Sequence, residues 1–241
     1  SLEDGLDALS MAGCRRVLIA PMYPQLAASS TGTAHKRCNE LLSSRFPELK
    51  ASFLPPFYSD PRFLDSVVEA AREERDKVQP DHILFSYHSL PERHIRKADP
   101  SGTHCLTTSN CCERIDDRNR NCYRAQCMET SRQLASRLDL QDEQWSVSFQ
   151  SRLGRTPWIQ PTTSDLVNQQ PPLGRRLLVL IPSFVADCLE TLEEVNIGHR
   201  EEFMESGGEA FGMAPCVNSH PAWVDAFSDM LTQHVELHFL T

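Results

Sequence analysis

The chain has 241 residues, 40% of them hydrophobic, enough to bury a core as one large α/β domain or two small ones. A net charge of -9 argues against a nucleic-acid partner, because phosphate backbones need a basic face. No apolar run approaches the ~18 residues of a membrane span, and the opening SLEDGLDALS has neither the basic start nor the apolar stretch of a secretory signal.

Those first residues read as a helix already under way, with Ser1 as cap and Leu2, Leu6 and Leu9 on one face, as expected of a fragment. Val17 to Ala20 predicts a strand ending at Pro21 and Tyr23. A helix is expected from about Thr33 to Ser44, opened by the turn Ser29-Ser30-Thr31-Gly32. A short strand follows at Ala51 to Leu54. Asp60 caps, and Pro61 starts, a helix to about Lys77. His82 to Tyr87 is an apolar strand that runs into His88 and stops before Pro91. Residues 92–121 are polar and weakly periodic and read as a loop insertion. Cys122 to Leu138 is helical again, with Met128, Leu134 and Leu138 facing a core. Strands are expected at Trp145 to Phe149 and Leu177 to Ile181, and a turn at Gln169 to Gly174. Asp187 caps a helix to about Phe203, and Pro221 starts the last one. Alternating strands and helices with short connections mean parallel α/β layers.

Three features carry chemistry. His88 stands at the carboxyl end of a strand, where open α/β sheets bind ligands. Its imidazole can take a proton near neutral pH or bind a metal, although many strand-end polar residues are structural. Glu190 and Glu194 are four apart on one face of the acidic helix, with Asp187 three before Glu190. Such carboxylates can pass protons or hold a hard cation in transit; the alternative is complementarity to the helix dipole, which covers Asp187 better than Glu194. The third feature is the cysteines. Five of the nine lie between residues 105 and 127. Clustered thiols without an export signal suggest a metal rather than disulfides. Cys14, Cys38 and Cys216 lie on apolar-patterned stretches and read as small buried hydrophobes.

SYHSLP at 86–91, FQSRLGRTPWIQP at 149–161 and DCLETLEE at 187–194 together resemble ferrochelatase, which inserts ferrous iron into a porphyrin in haem synthesis. MYPQLAASSTGT at 22–33 is similar to the family's YPQ…STTG turn. The resemblance covers residue 1 to about residue 235. It implies an α/β fold of two Rossmann-like lobes, each with a parallel four-stranded sheet flanked by helices, and a porphyrin cleft between them. The first lobe would be incomplete, spanning 1–78 and joined by the C-terminal helix 219–238. The second would span 79–215 and carry the insertion 99–122. The resemblance makes His88 the active-site histidine, as proton acceptor and transient iron ligand, and Glu190 and Glu194 the acidic pair facing it. It places Tyr23, Ser86, Trp158 and Pro161 at or near the porphyrin pocket. Protoporphyrin IX is the expected porphyrin rather than coproporphyrin III.

The chain departs from the family in places. The opening strand, the Gly-Thr-Pro turn and one wall of the cleft are absent, so the chain alone is expected to bind porphyrin poorly and to turn over little. Cys188 stands where many relatives carry His, and Thr162 and Ser164 replace a usual Tyr and Asp. The cysteine insertion is similar to that of bacterial relatives with a [2Fe-2S] cluster. The animal arrangement is excluded, because Ala28 occupies the turn position and the chain has no cysteine tail. The expected ligands are Cys105, Cys111, Cys112 and Cys122, with Cys127 in reserve; zinc and unligated thiols are the alternatives. The runner-up activity is a cobalt or other tetrapyrrole chelatase, and a non-enzymatic reading is an iron- or cluster-binding relative. The expected location is cytoplasmic, with peripheral contact to the inner membrane and the oligomeric state open.

Overall fold

In the computed structural model, residues 1–168 and 174–240 are described. The turn expected at Gln169 to Gly174 therefore lies outside them, apart from Gly174. The elements run α1 (Leu2–Met11), β1 (Arg16–Ile19), α2 (Thr33–Arg45), β2 (Lys50–Phe53), α3 (Pro61–Val78), β3 (His82–His88), α4 (Glu92–Lys97) and α5 (Tyr123–Arg137). They continue with β4 (Trp145–Gln150), α6 (Thr163–Asn168), β5 (Arg176–Leu180), α7 (Leu189–Leu192), α8 (Arg200–Glu205), β6 (Ala210–Met213) and α9 (Pro221–Val235).

Two parallel sheets result. β1 pairs with β2, and four strands align in the order β4-β3-β5-β6. All-parallel strands need helices on both faces, which makes the strands apolar throughout. β3 follows that rule: Ile83, Phe85 and Tyr87 join one core and Leu84 the other. The first core takes Phe63 and Leu64 from α3, Leu134 from α5, and Trp223 and Met230 from α9. The second takes Val167, Val195 and Phe203. Leu84, Phe85, Leu177, Leu178 and Val179 are 0% exposed. Each such side chain contributes roughly 1.5–3 kcal/mol by leaving water. A third, separate cluster of Leu6, Val17, Leu41, Leu42, Phe46 and Leu49 holds α1 and α2 to the two-stranded sheet.

The helix starts follow local rules. Asp60 caps α3 by accepting from the Arg62 amide at 2.9 Å, with Pro61 at the first position. Ser1 caps α1 in a reciprocal capping box with Asp4.

The first sheet has two strands among the described residues. Two expectations need correction. The insertion is not all loop, since Glu92–Lys97 is helical. The acidic helix is not continuous: α7 is followed by a π-helical turn at Glu194–His199 and then by α8. Its cap is Cys188, while Asp187 instead accepts from Asn218 Nδ2 at 2.7 Å and the Cys216 amide at 3.1 Å. The extra residue in the π turn keeps Val195 and His199 buried while Glu194 turns toward β4. The helices α3 and α9, read as part of the first lobe, pack into the core of the four-stranded sheet; α9 also reaches the first sheet through His234 Nε2 and Ser52 Oγ, 2.6 Å apart.

Candidate active site

β3 outruns its neighbour. Its register with β5 ends at Phe85↔Leu180, while pairing with β4 continues to His88↔Gln150. On the β5 side, the His88 backbone therefore lacks ladder partners. Two hydroxyls replace them: the His88 amide donates to Ser183 Oγ at 3.3 Å, and Tyr123 Oη donates to the His88 carbonyl at 2.8 Å. Buried backbone groups need such partners. The half-buried imidazole lies 6.3 Å from the Phe184 ring, and its Nδ1 is buried with no hydrogen-bond partner. It opens on a cavity of about 100 Å³ that Tyr23, Gln25, Tyr123, Ser183 and Phe184 also line. A second cavity of about 340 Å³ shares Ala27, Leu90 and Tyr123 with it.

The acids approach from the other side. The Cys188 thiol holds the Glu190 carboxyl below its usual range, its own amide and the nearby His88 adding to the effect. Glu190 is thus ionised near neutral pH and lies within electrostatic reach of His88. Glu194 accepts from both the amide and the hydroxyl of Ser151, with an amide distance of 2.7 Å. Ser151 has φ +65°, unfavourable for a non-glycine residue, so the carboxylate clamps a strained bend at the end of β4. Beneath the acids runs a buried relay. Ser86 Oγ donates to Gln150 Oε1 at 2.6 Å, and Gln150 Nε2 donates to the Glu190 carbonyl at 2.8 Å.

The structure thus brings together His88, Glu190, Tyr23 and, through Ser151, Glu194. It keeps Ser86 wholly inside the sheet, bonded to Gln150 and Thr163, so that its hydroxyl supports the site from below. Trp158 and Pro161 do not line the His88 cavity. Trp158 bridges to Pro91 and donates to the Leu153 carbonyl at 2.9 Å, and the Pro161 carbonyl accepts from the Phe149 amide at 2.9 Å. Sequence reasoning missed Tyr123, Ser183, Phe184 and Gln150 as site residues. Ser183 and Phe184 follow an apolar strand directly, which was the available signal; Tyr123 had none beyond its place after Cys122.

The four cysteines of the insertion converge. Cys105, Cys111, Cys112 and Cys122 are all buried and free. Cys111 and Cys112 Sγ lie 3.7 Å apart, and the Cys122 thiol is in hydrogen-bonding contact with those of Cys105 and Cys112. Arg124 Nη1 reaches Cys112 Sγ at 3.1 Å. The backbone is held in place: the Asp99 carboxylate accepts from the amides of His104 at 2.7 Å and Cys105 at 2.9 Å, and Asn119 Nδ2 donates to the Cys111 carbonyl at 2.8 Å. Cys127 is 0% exposed and its thiol is hydrogen-bonded to Tyr123 instead. Among the described residues, no group of three or more His, Cys, Asp or Glu has the arrangement for a single metal ion.

The ferrochelatase family profile matches residues 1–235. The chain belongs to the ferrochelatase family. It is 46% identical over 228 residues to the ferrochelatase of Ectopseudomonas mendocina, covering 94% of this chain and 66% of that one. To the ferrochelatase of Stutzerimonas stutzeri it is 43% identical over 235 residues, covering 97% and 69%. The chain thus spans about two thirds of the length of these ferrochelatases. In fold it is similar to the cobalt-bound sirohydrochlorin chelatase SirB of Bacillus subtilis, with a TM-score of 0.63 and 11% identity over 98% of this chain and 76% of that one.

Proposed function

We propose that this chain serves in a ferrochelatase that inserts ferrous iron into a porphyrin, protoporphyrin IX rather than coproporphyrin III, to make haem, the chain alone being weak or inactive. The observation that carries the reading is His88, held at a sheet's carboxyl edge by two hydroxyls and opening on a cavity, with the ionised Glu190 within electrostatic reach. A porphyrin core must lose two N–H protons as the metal enters. His88 accepts protons from the macrocycle face, and Glu190 and Glu194 carry them away or steady the incoming Fe²⁺. Binding energy from the rest of the ring bends the macrocycle and exposes its nitrogens. The reaction is a lyase step, and the location is cytoplasmic. No helix among the described residues is long and apolar enough to cross a membrane. The close ferrochelatase relatives favour iron over the cobalt chemistry of the SirB likeness, which extends to the fold alone. In an anaerobic iron-insertion assay on a full-length version of the enzyme, His88→Ala is expected to lower turnover by at least about 10²-fold. Retained insertion would remove His88 from the mechanism.

The insertion suits a [2Fe-2S] cluster on Cys105, Cys111, Cys112 and Cys122. Four buried, unpaired thiols from a backbone held by Asp99 and Asn119, with Arg124 beside one sulfur, form a soft donor set of the kind that iron–sulfur clusters use. Cys127 is the reserve ligand, at the cost of its Tyr123 bond. A bound cluster would supply a rigid crosslink and a one-electron centre. Visible absorbance with matched iron and sulfide content is expected in anaerobically purified protein; a colourless zinc protein would refute the cluster.

A further inference from the structure

The first turn of α5 connects the cysteine nest to both walls of the His88 cavity. Cys122 is the N-cap of α5, yet its side chain makes no capping bond and lies against the thiols of Cys105 and Cys112. The next residue, Tyr123, is the donor that fixes the His88 carbonyl. Its hydroxyl also meets the thiol of Cys127 and the hydroxyl of Ser183, the acceptor for the His88 amide. The hydroxyls of Tyr123 and Ser183 thus hold the amide and the carbonyl of His88 on its β5 side. One turn on, Gln126 Oε1 accepts from the Leu26 amide at 2.6 Å, and Gln126 Nε2 donates to the Arg120 carbonyl at 2.7 Å. Leu26 belongs to the turn that presents Tyr23 and Gln25 to the same cavity.

We propose that Tyr123 is a positioning residue for His88, and that it transmits the state of the cysteine nest, filled or empty, to the imidazole. His88 is paired with Gln150 of β4 but lies beyond the end of β5, so on that side its placement depends on those two hydroxyls. The first turn of α5 depends in turn on how the Cys122 thiol is held. Filling the nest with metal shifts Cys122, and Tyr123 carries that shift to His88. The inference rests on His88 as the working base, but the coupling itself is measurable without turnover.

The test uses the whole chain with ¹⁵N-labelled histidine, the His88 ring signals being assigned through His88→Ala. Reconstitution of the nest with ferrous iron and sulfide is expected to move the His88 signals in the wild-type chain. In Tyr123→Phe, which keeps the ring and loses only the hydroxyl, reconstitution should leave them unmoved. Cys122→Ser should move them in the wild-type background and not in Tyr123→Phe, as a double-mutant cycle requires. In the insertion assay, Tyr123→Phe is expected to lower kcat roughly tenfold to a hundredfold with the KM for porphyrin unchanged. Equal movement of the His88 signals with and without the hydroxyl would overturn the proposal, as would an unchanged kcat in a folded Tyr123→Phe. If His88→Ala retains turnover, the functional reading fails while the NMR result still decides the coupling.

Discussion

At the scale of single residues, the site is built by substitution of partners. His88 has lost its β5 neighbour and gained two hydroxyls; Ser151 has taken a left-handed conformation and gained a carboxylate. Glu194 therefore has a structural duty beside its proposed place in the proton route. Removing it as Glu194→Ala leaves the Ser151 amide without its acceptor at a strained bend. The expected loss is about 1–3 kcal/mol of stability, read from urea unfolding. Glu194→Gln keeps one acceptor oxygen and is expected to recover most of that stability without recovering turnover. A stability loss shared equally by both variants would show that charge, and not the amide acceptor, holds the bend.

At the scale of elements, close approach decides what is tolerated. A Cβ on Gly212 of β6 would collide with the Val78 side chain of α3 and come within 2.8 Å of Glu74 Oε1. Gly212→Ala is expected to cost about 1–3 kcal/mol, seen as a lowered thermal midpoint. The elements themselves were largely legible. Capping residues and apolar periods placed α3 and β3 within a residue or two of their observed ends, because Asp60-Pro61 and the run His82 to Tyr87 are strong local signals. The acidic segment was not, since a π turn depends on a long-range bond between Glu194 and Ser151, 43 residues away. Helix α4 was hidden by the polarity of its exposed face, with Ile95 alone buried. The candidate site was readable where motif and strand end coincide, as at His88. It was unreadable at Tyr123, whose role arises only from the early end of β5 pairing. Trp158 and Pro161, marked by a motif, lie in the loop against Pro91 and Phe149 and outside the lining of the His88 cavity.

At the scale of the whole molecule, the apolar groups divide unevenly. Most lie in the two cores of the four-stranded sheet, the first of which includes the cysteines of the nest and Tyr123, the partner of His88. The third cluster, around Leu6, Leu41 and Phe46, is small and shares no residue with the other two. Regions with few buried contacts open at lower free energy than the global transition. Amides of α1 and α2 are therefore expected to exchange hydrogen for deuterium well before those of β3 and β5. Limited trypsin should cut first among Arg15, Arg37, Arg45 and Lys50, leaving a resistant fragment that retains His88. Simultaneous loss of all regions would mean that the Ser52–His234 contact binds the small cluster to the rest more firmly than its packing suggests. The molecule thus has a frangible end and a durable one, and the durable end holds both the imidazole and the thiols.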